Sequence, residues 1–171
     1  MKALYVTKFC KIGTVPESIV FGDVPDLPEP KRDEVVIEVK AASINVDDVP
    51  LLQDTAAGGW LYHARTPSAD DPLVGGTDYA GIVVACGPDC KKLKVGDRVV
   101  GIMKIAEYQR GTWAERTLAP ETDVCLIEDD DLKFVDAAAV AMGAFVASDM
   151  VSLKERGKKG REGERERERE S

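Results

Sequence analysis

Cysteine is scarce in this chain. Its four cysteines, Cys10, Cys86, Cys90 and Cys125, are too few and too scattered for the disulfide framework of a secreted domain, so reduced thiols are the default reading. Long hydrophobic runs are lacking too, and no stretch approaches the ~20 apolar residues that a membrane span requires. Met1-Lys2-Ala3-Leu4-Tyr5-Val6 enters strand-like alternation at once, with neither the apolar stretch of a secretion signal nor an Arg-rich leader. These absences predict a soluble, cytoplasmic chain. Positive charge is also short. The last twenty residues hold 8 basic and 6 acidic side chains, which leaves 15 basic against 25 acidic, a net charge of −10, on residues 1–151. An acidic body argues against nucleic acid or an anionic membrane as partner, because those surfaces select clustered Lys and Arg.

What is present suffices for one core. The 171 residues, 44% of them apolar, have room for one ordinary domain and a tail. Strands are expected at residues 2–7, 19–24, 34–41, 79–85, 98–103 and 112–118, which are rich in Val and Ile and separated by turn residues at Gly13, Pro28-Glu29-Pro30, Gly87-Pro88-Asp89 and Gly96-Asp97. Short strands spaced by turns predict a barrel or sandwich, and without helices of crossover length a doubly wound parallel sheet is not expected. Residues 46–53 allow one short helix limited by Pro50. Leu132 to Leu153, Ala-rich and preceded by Asp129-Asp130-Asp131, is the best helix candidate, with carboxylates at its entry and a potential break at Gly143. From residue 152 to 171 the composition turns to Lys, Arg, Glu and Gly. That stretch cannot build a core and reads as a charged low-complexity tail. Its Glu-Arg alternation is what a GA dinucleotide repeat encodes, so read-through into non-coding repeat is the expectation for its origin.

Four segments, in order and spacing, carry a resemblance. They are Ala42-Ser43-Ile44-Asn45-Val46-Asp47-Asp48; Pro72-Leu73-Val74-Gly75-Gly76-Thr77-Asp78-Tyr79-Ala80-Gly81-Ile82-Val83; Val95-Gly96-Asp97-Arg98-Val99; and Gly111-Thr112-Trp113-Ala114-Glu115, with Asp136-Ala137-Ala138-Ala139 following. Together they resemble the N-terminal half of the medium-chain dehydrogenase/reductase superfamily, in its zinc-independent quinone oxidoreductase and enoyl reductase branch. The resemblance covers residues 1–151 and implies a mainly β, GroES-like, partly open barrel with a few helices and no Rossmann domain. It further implies that the complete enzyme moves hydride from NADPH to a small quinone or enone. The chain would then be a piece truncated before the nucleotide-binding domain, inactive alone and without tight NADPH binding. The rival readings are a standalone GroES-like protein-interaction module and a non-functional truncated product.

Asn45 and Asp48 weigh both ways. At a helix entry they are ordinary caps. The resemblance implies that Asn45 contacts cofactor and substrate and that Asp48 supports the local geometry. Trp60 and Tyr62 are candidate aromatics toward the nicotinamide. His63, the sole histidine, reads as a solvated loop residue. Gly76 and Gly81 are expected to allow a bend or close backbone approach, and Asp97 to bond its own turn. No zinc is expected. Where zinc-using members have Cys, this chain reads Ile44-Asn45-Val46; where they have Gly-His-Glu, it reads Gly76-Thr77-Asp78. Cys86 and Cys90 supply only two of the four ligands zinc prefers and read as turn-flanking thiols. Gly157, Gly160 and Gly163 belong to the tail, since no strand precedes them and no apolar helix follows. Val146 stands where the family commonly has Thr, so a potential hydroxyl contact is lost. The apolar run from Phe134 to Val151 is expected to promote self-association if left uncovered.

Overall fold

The computed structural model describes residues 1–53, 66–103 and 111–148. The expectations placed on Trp60, Tyr62, His63 and the tail 152–171 therefore lie outside the described residues. In chain order the elements are β1 (Lys2–Val6), α1 (Val15–Ser18), β2 (Val20–Asp23), β3 (Glu34–Ala42), α2 (Asp48–Leu52), β4 (Leu73–Val74), β5 (Asp78–Cys86), β6 (Arg98–Ile102), β7 (Arg116–Pro120), a 3-10 turn (Glu121–Asp123) and β8 (Val124–Leu126). A further helix, α3, covers 134–148.

A five-stranded sheet runs β7-β3-β5-β6-β8 and a three-stranded one runs β2-β1-β4. Every strand ladder is antiparallel. β3 and β5 are the long central pair, and their register shifts between Val36 and Ile37 and between Val39 and Ala41. Such irregularities bend and twist a sheet, and here it curls into a half-barrel. The core lies inside that curl, around Val35, Ile37, Leu52, Tyr79, Val83 and Val99. The expected close approach at Gly81 is real: a Cβ there would sit 2.1 Å from the Glu38 carbonyl oxygen.

The expected strand 112–118 is displaced. Gly111, Thr112 and Trp113 instead give their N–H groups to the Val74, Gly76 and Gly75 carbonyls at 3.1, 3.0 and 2.9 Å. The chain then links the two sheets. Leu4 N–H bonds the Trp113 carbonyl at 2.8 Å, and Val39 N–H bonds the Glu115 carbonyl at 3.0 Å. The regular strand begins only at Arg116, where pairing with β3 takes over.

Two expectations about α3 also change. Asp129 does not enter the helix; its Oδ1 accepts the Asp131 N–H at 2.9 Å in a preceding turn. Gly143 does not break the helix, which runs through it. Arg98 on β6 holds the approach to α3, donating to the Asp129 carbonyl at 2.8 Å and to the Leu132 carbonyl, with its guanidinium 4.9 Å from the Phe134 ring centroid. Ala137 and Ala138 are buried against Ala80 and Ile127, while Val135 and Val140 are exposed.

The chain divides into two compact units, Met1–Ala141 and Met142–Ser171. The first contains all the strands. Of the second, 142–148 is described, as helix, with Phe145 and Val146 exposed. No helix of the described residues is long and apolar enough to cross a membrane.

Thr117 on β7 is fully buried opposite Ile37, and its hydroxyl has no partner among the described residues. Removing an unsatisfied buried hydroxyl while keeping the branched shape favours the folded state. Thr117→Val is therefore expected to raise unfolding stability by about 1 kcal/mol in chemical denaturation. A lowered denaturation midpoint at unchanged slope would contradict this.

Candidate functional site

The segment leaving β3 turns sharply before α2. The turn is built by side chains reaching back to backbone: Asn45 Oδ1 accepts the Asp47 N–H at 2.7 Å, and Asp48 Oδ2 accepts the Asn45 N–H at 2.7 Å. Neither residue caps α2 from its N-cap position, which Asp47 occupies without a side-chain cap bond. The capping expectation thus fails in detail. Asn45 and Asp48 stabilise the loop entering the helix rather than the helix end itself.

Both residues also reach the head of β5. Asn45 Nδ2 donates to Thr77 Oγ1 and, at 2.9 Å, to Asp78 Oδ2. Thr77 Oγ1–H donates to Asp48 Oδ1 at 3.1 Å. Ser43 Oγ–H adds a second donor to Asp78 Oδ2 at 2.8 Å. The carboxylate can only accept and the Asp47 N–H can only donate, so the orientation of the Asn45 amide is fixed by chemistry. Both amide hydrogens are committed inward. Half-buried Asn45 retains one lone pair on Oδ1 for an incoming donor.

This knot is dry. Asp48 is 0% and Asp78 2% exposed, and Asp78 Oδ1 has no partner among the described residues. Burial pushes the Asp48 carboxyl above its ordinary value of 3.8; the Asn45 N–H and the Thr77 hydroxyl pull it down, and the charges of Asp78 and Asp47 push it up. Trp113 closes one side, its indole N–H donating to the Ser43 carbonyl at 3.1 Å while its ring lies over Gly75 and Gly76. Thr112 Oγ1–H binds the Asp78 carbonyl at 2.9 Å.

The structure brings Asn45 and Asp48 together with Ser43, Thr77, Asp78, Thr112 and Trp113. The signal for Thr77 and Asp78 was available. A hydroxyl and a carboxylate inside the otherwise apolar run from Leu73 to Val83 must be partnered if that run is buried. Trp60 and Tyr62 fall outside the described residues. Among the described residues no group of three or more His, Cys, Asp or Glu is placed to hold a metal ion.

An antiparallel half-barrel with its loop and helix entry gathered at the head of one central strand defines a class of domain. The alcohol dehydrogenase GroES-like domain matches residues 31–129, and the chain belongs to that family. The matched span contains all five strands of the larger sheet. The chain is 38% identical over 84 residues to an alcohol dehydrogenase of Schizosaccharomyces pombe, covering 49% of this chain and 21% of that one. It is 35% identical over 96 residues to the trans-enoyl reductase RAP2 of Pyricularia oryzae, covering 54% and 24%. The solved structure of Escherichia coli quinone oxidoreductase complexed with NADPH superposes with a TM-score of 0.60 at 26% identity, covering 81% of this chain and 36% of that one. The chain therefore spans less than half the length of these relatives.

A titration separates the two electrostatic effects at Asp48. Its pKa is raised by folding, so its contribution to stability is fully present below the ordinary carboxylate value and is lost as the pH rises through the raised one. Asp48→Asn removes that titration. The melting temperature of the variant minus that of the wild type is expected to climb as the pH rises from about 4, the ordinary carboxylate range, through the raised value. A difference that stays flat or falls across this window would show that burial does not dominate at Asp48.

Proposed function

We propose that residues 1–151 are the substrate-side half of an NADPH-dependent reductase that acts, in its complete form, on a quinone or an activated alkene without zinc. The observation that carries this reading is the contact of Asn45 with Thr77 and Asp78. By resemblance these positions correspond to those where zinc-using members place Cys and Gly-His-Glu. Here they supply an amide, a hydroxyl and a carboxylate, bonded to one another. The printed names of the enoyl reductase and quinone oxidoreductase relatives support the same branch.

The described residues fit one end of a nicotinamide cofactor. Asn45 Oδ1 can accept a hydrogen bond from a ribose hydroxyl, and the Asp48–Thr77–Asp78 frame holds that oxygen in place. When bound, the cofactor supplies the hydride. The chain's part is to orient: exposed Ile44 and Val46 flank Asn45 with apolar surface, which excludes water from groups that settle against it. Without a metal, an acceptor carbonyl would be polarised by hydrogen bonds alone. Among the described residues no glycine-rich turn leads from a strand into a helix, the arrangement that anchors a pyrophosphate through backbone N–H groups. Hydride transfer needs the two reactants held at near-contact geometry, so tight binding and turnover call for a nucleotide-binding domain beside this one.

The test has two arms. NADPH is titrated into the chain by calorimetry, and residues 1–151 are fused to the nucleotide domain of a quinone oxidoreductase. Negligible binding by the chain is expected, together with quinone-dependent NADPH oxidation by the fusion. Asn45→Ala is expected to lower kcat/KM of the fusion by roughly tenfold or more, in line with a lost hydrogen bond at a positioned group. Micromolar NADPH binding by the chain alone would overturn the division of labour. A fusion that folds but never turns over would favour an interaction module.

A further inference from the structure

Successive side chains of a strand alternate between faces, so β1 carries Lys2 and Leu4 on one face, with their register partners Asp23 and Phe21 across on β2. That face borders a gap between the two sheets. The β7 ladder on β3 ends at Glu38, whereas β3 continues to Ala42 beside β5. The gap is a groove of about 630 Å³, lined chiefly by Leu4, Ile19, Phe21, Ile44, Trp113 and Ala114, and its volume falls within the range of small-molecule sites, roughly 300–1,000 Å³. On the β3 side Ala41 and Ala42 intrude by no more than a methyl each. Phe21 is 71% and Ile44 76% exposed, so large apolar side chains stand in water here, and nothing among the described residues covers them.

The polar groups along the groove are already engaged. Lys2 Nζ lies 2.6 Å from the Asp23 carboxylate and Lys40 Nζ 2.7 Å from that of Glu38, while Glu115 Oε2 accepts the Lys2 N–H at 2.8 Å. The Thr112 hydroxyl and the Trp113 indole donate away, to the Asp78 and Ser43 carbonyls. The backbone behaves likewise: the N–H groups of Thr112, Trp113 and Glu115 bond the Gly76, Gly75 and Lys2 carbonyls, and the Trp113 and Glu115 carbonyls accept from Leu4 and Val39. A charged ligand would find no unengaged charged side chain there, and a hydrocarbon would leave none of these bonds unmade. The groove also adjoins the candidate site. Ile44 precedes Asn45 in the chain, and Trp113 lines the groove while its indole holds the Ser43 carbonyl.

We propose that this groove binds an uncharged aliphatic chain. The identity of the chain as the tail of the acceptor rests on the reductase reading above; its chemistry rests on the groove. A protein partner would call for a broad face of about 800 Å² on each side, and the groove is sized instead for one small molecule.

The test uses the full chain without NADPH. Trp60→Phe leaves Trp113 as the sole indole, and its emission, corrected for absorption by the quinone, is followed as dimethoxy-methyl-benzoquinone is added with or without a decyl tail. Saturable quenching is expected, with a Kd at least about tenfold lower for the tailed quinone, in line with partial burial of its methylenes. Phe21 and Ala42 are both exposed, so substitutions there leave the core intact. Phe21→Ser is expected to remove most of the tail's advantage. Ala42→Phe adds apolar area yet fills the groove, and is expected to do the same, whereas adhesion to any greasy surface would strengthen. Equal Kd values for the two quinones, or an advantage that survives both substitutions, would overturn the proposal. So would a dimer in sedimentation that Phe21→Ser dissolves, since a second copy would then occupy the groove. Given to the fusion, the tailed quinone is expected to show the lower KM at a similar kcat. A fusion that never turns over, with tail binding intact, would remove the reductase reading and leave this site supported.

Discussion

Two carboxylates buried at the head of β5 are the constraint on which the arrangement of this domain depends. An ionised side chain taken out of water must be repaid by donors in good geometry, or the group takes up a proton instead. Asp48 and Asp78 draw their donors from Ser43, Asn45 and Thr77, so the end of β3, the loop into α2 and the start of β5 are obliged to meet. The loop that displays Asn45 therefore cannot be repositioned without stranding a charge. A different balance operates at Glu121, whose carboxylate collects the N–H groups of Lys91, Lys92 and Leu93 and is lowered chiefly by the Lys92 N–H. Donor supply is in excess there. At Asp48 burial outweighs it, and the same chemical group moves in the opposite direction.

The long strands were legible because they satisfy two demands at once. β3 and β5 are nine residues each and rich in Val, Ile and Ala, and their single glycine, Gly81, lies where backbones must touch. β4 and β8 went unseen, having two and three residues, too short to carry a period; they exist because β1 and β6 offer them pairing partners. The stretch from Gly111 to Glu115 reads locally as strand, yet Gly75, Gly76 and β1 capture its hydrogen bonds first. The entry to α3 was misplaced for a similar reason, since Asp129 accepts the Asp131 N–H in a turn that precedes the helix.

Of the site, Asn45 and Asp48 were readable as a motif, and Thr77 and Asp78 as polar groups in need of partners, but which residues would meet was not. Ser43 and Asp78 lie 35 positions apart, Asn45 and Thr77 32. No local pattern announces such contacts; the topology of β3 beside β5 creates them. The family match begins at residue 31, and β1 with β2 lies before it. Yet β1 takes part in closing the curl, by bonding Trp113 and Glu115 across the gap between the sheets. A segment outside the matched span thus completes the shape of the segment inside it.

The seating of Trp113 over Gly75 and Gly76 has a consequence for heredity. A side chain at either glycine would place its first carbon within 2.5 Å of the indole, and Gly76 also sits at a φ of +91°, which L side chains rarely adopt. Neither glycine can drift while the indole stays. If the indole were lost, Gly75 would be freed from collision, whereas Gly76 would still be held by its backbone. In descendants of this sequence a side chain at position 75 is thus admissible only once the Trp113 indole has gone, and Gly76 is left nearly immobile whatever its neighbours become.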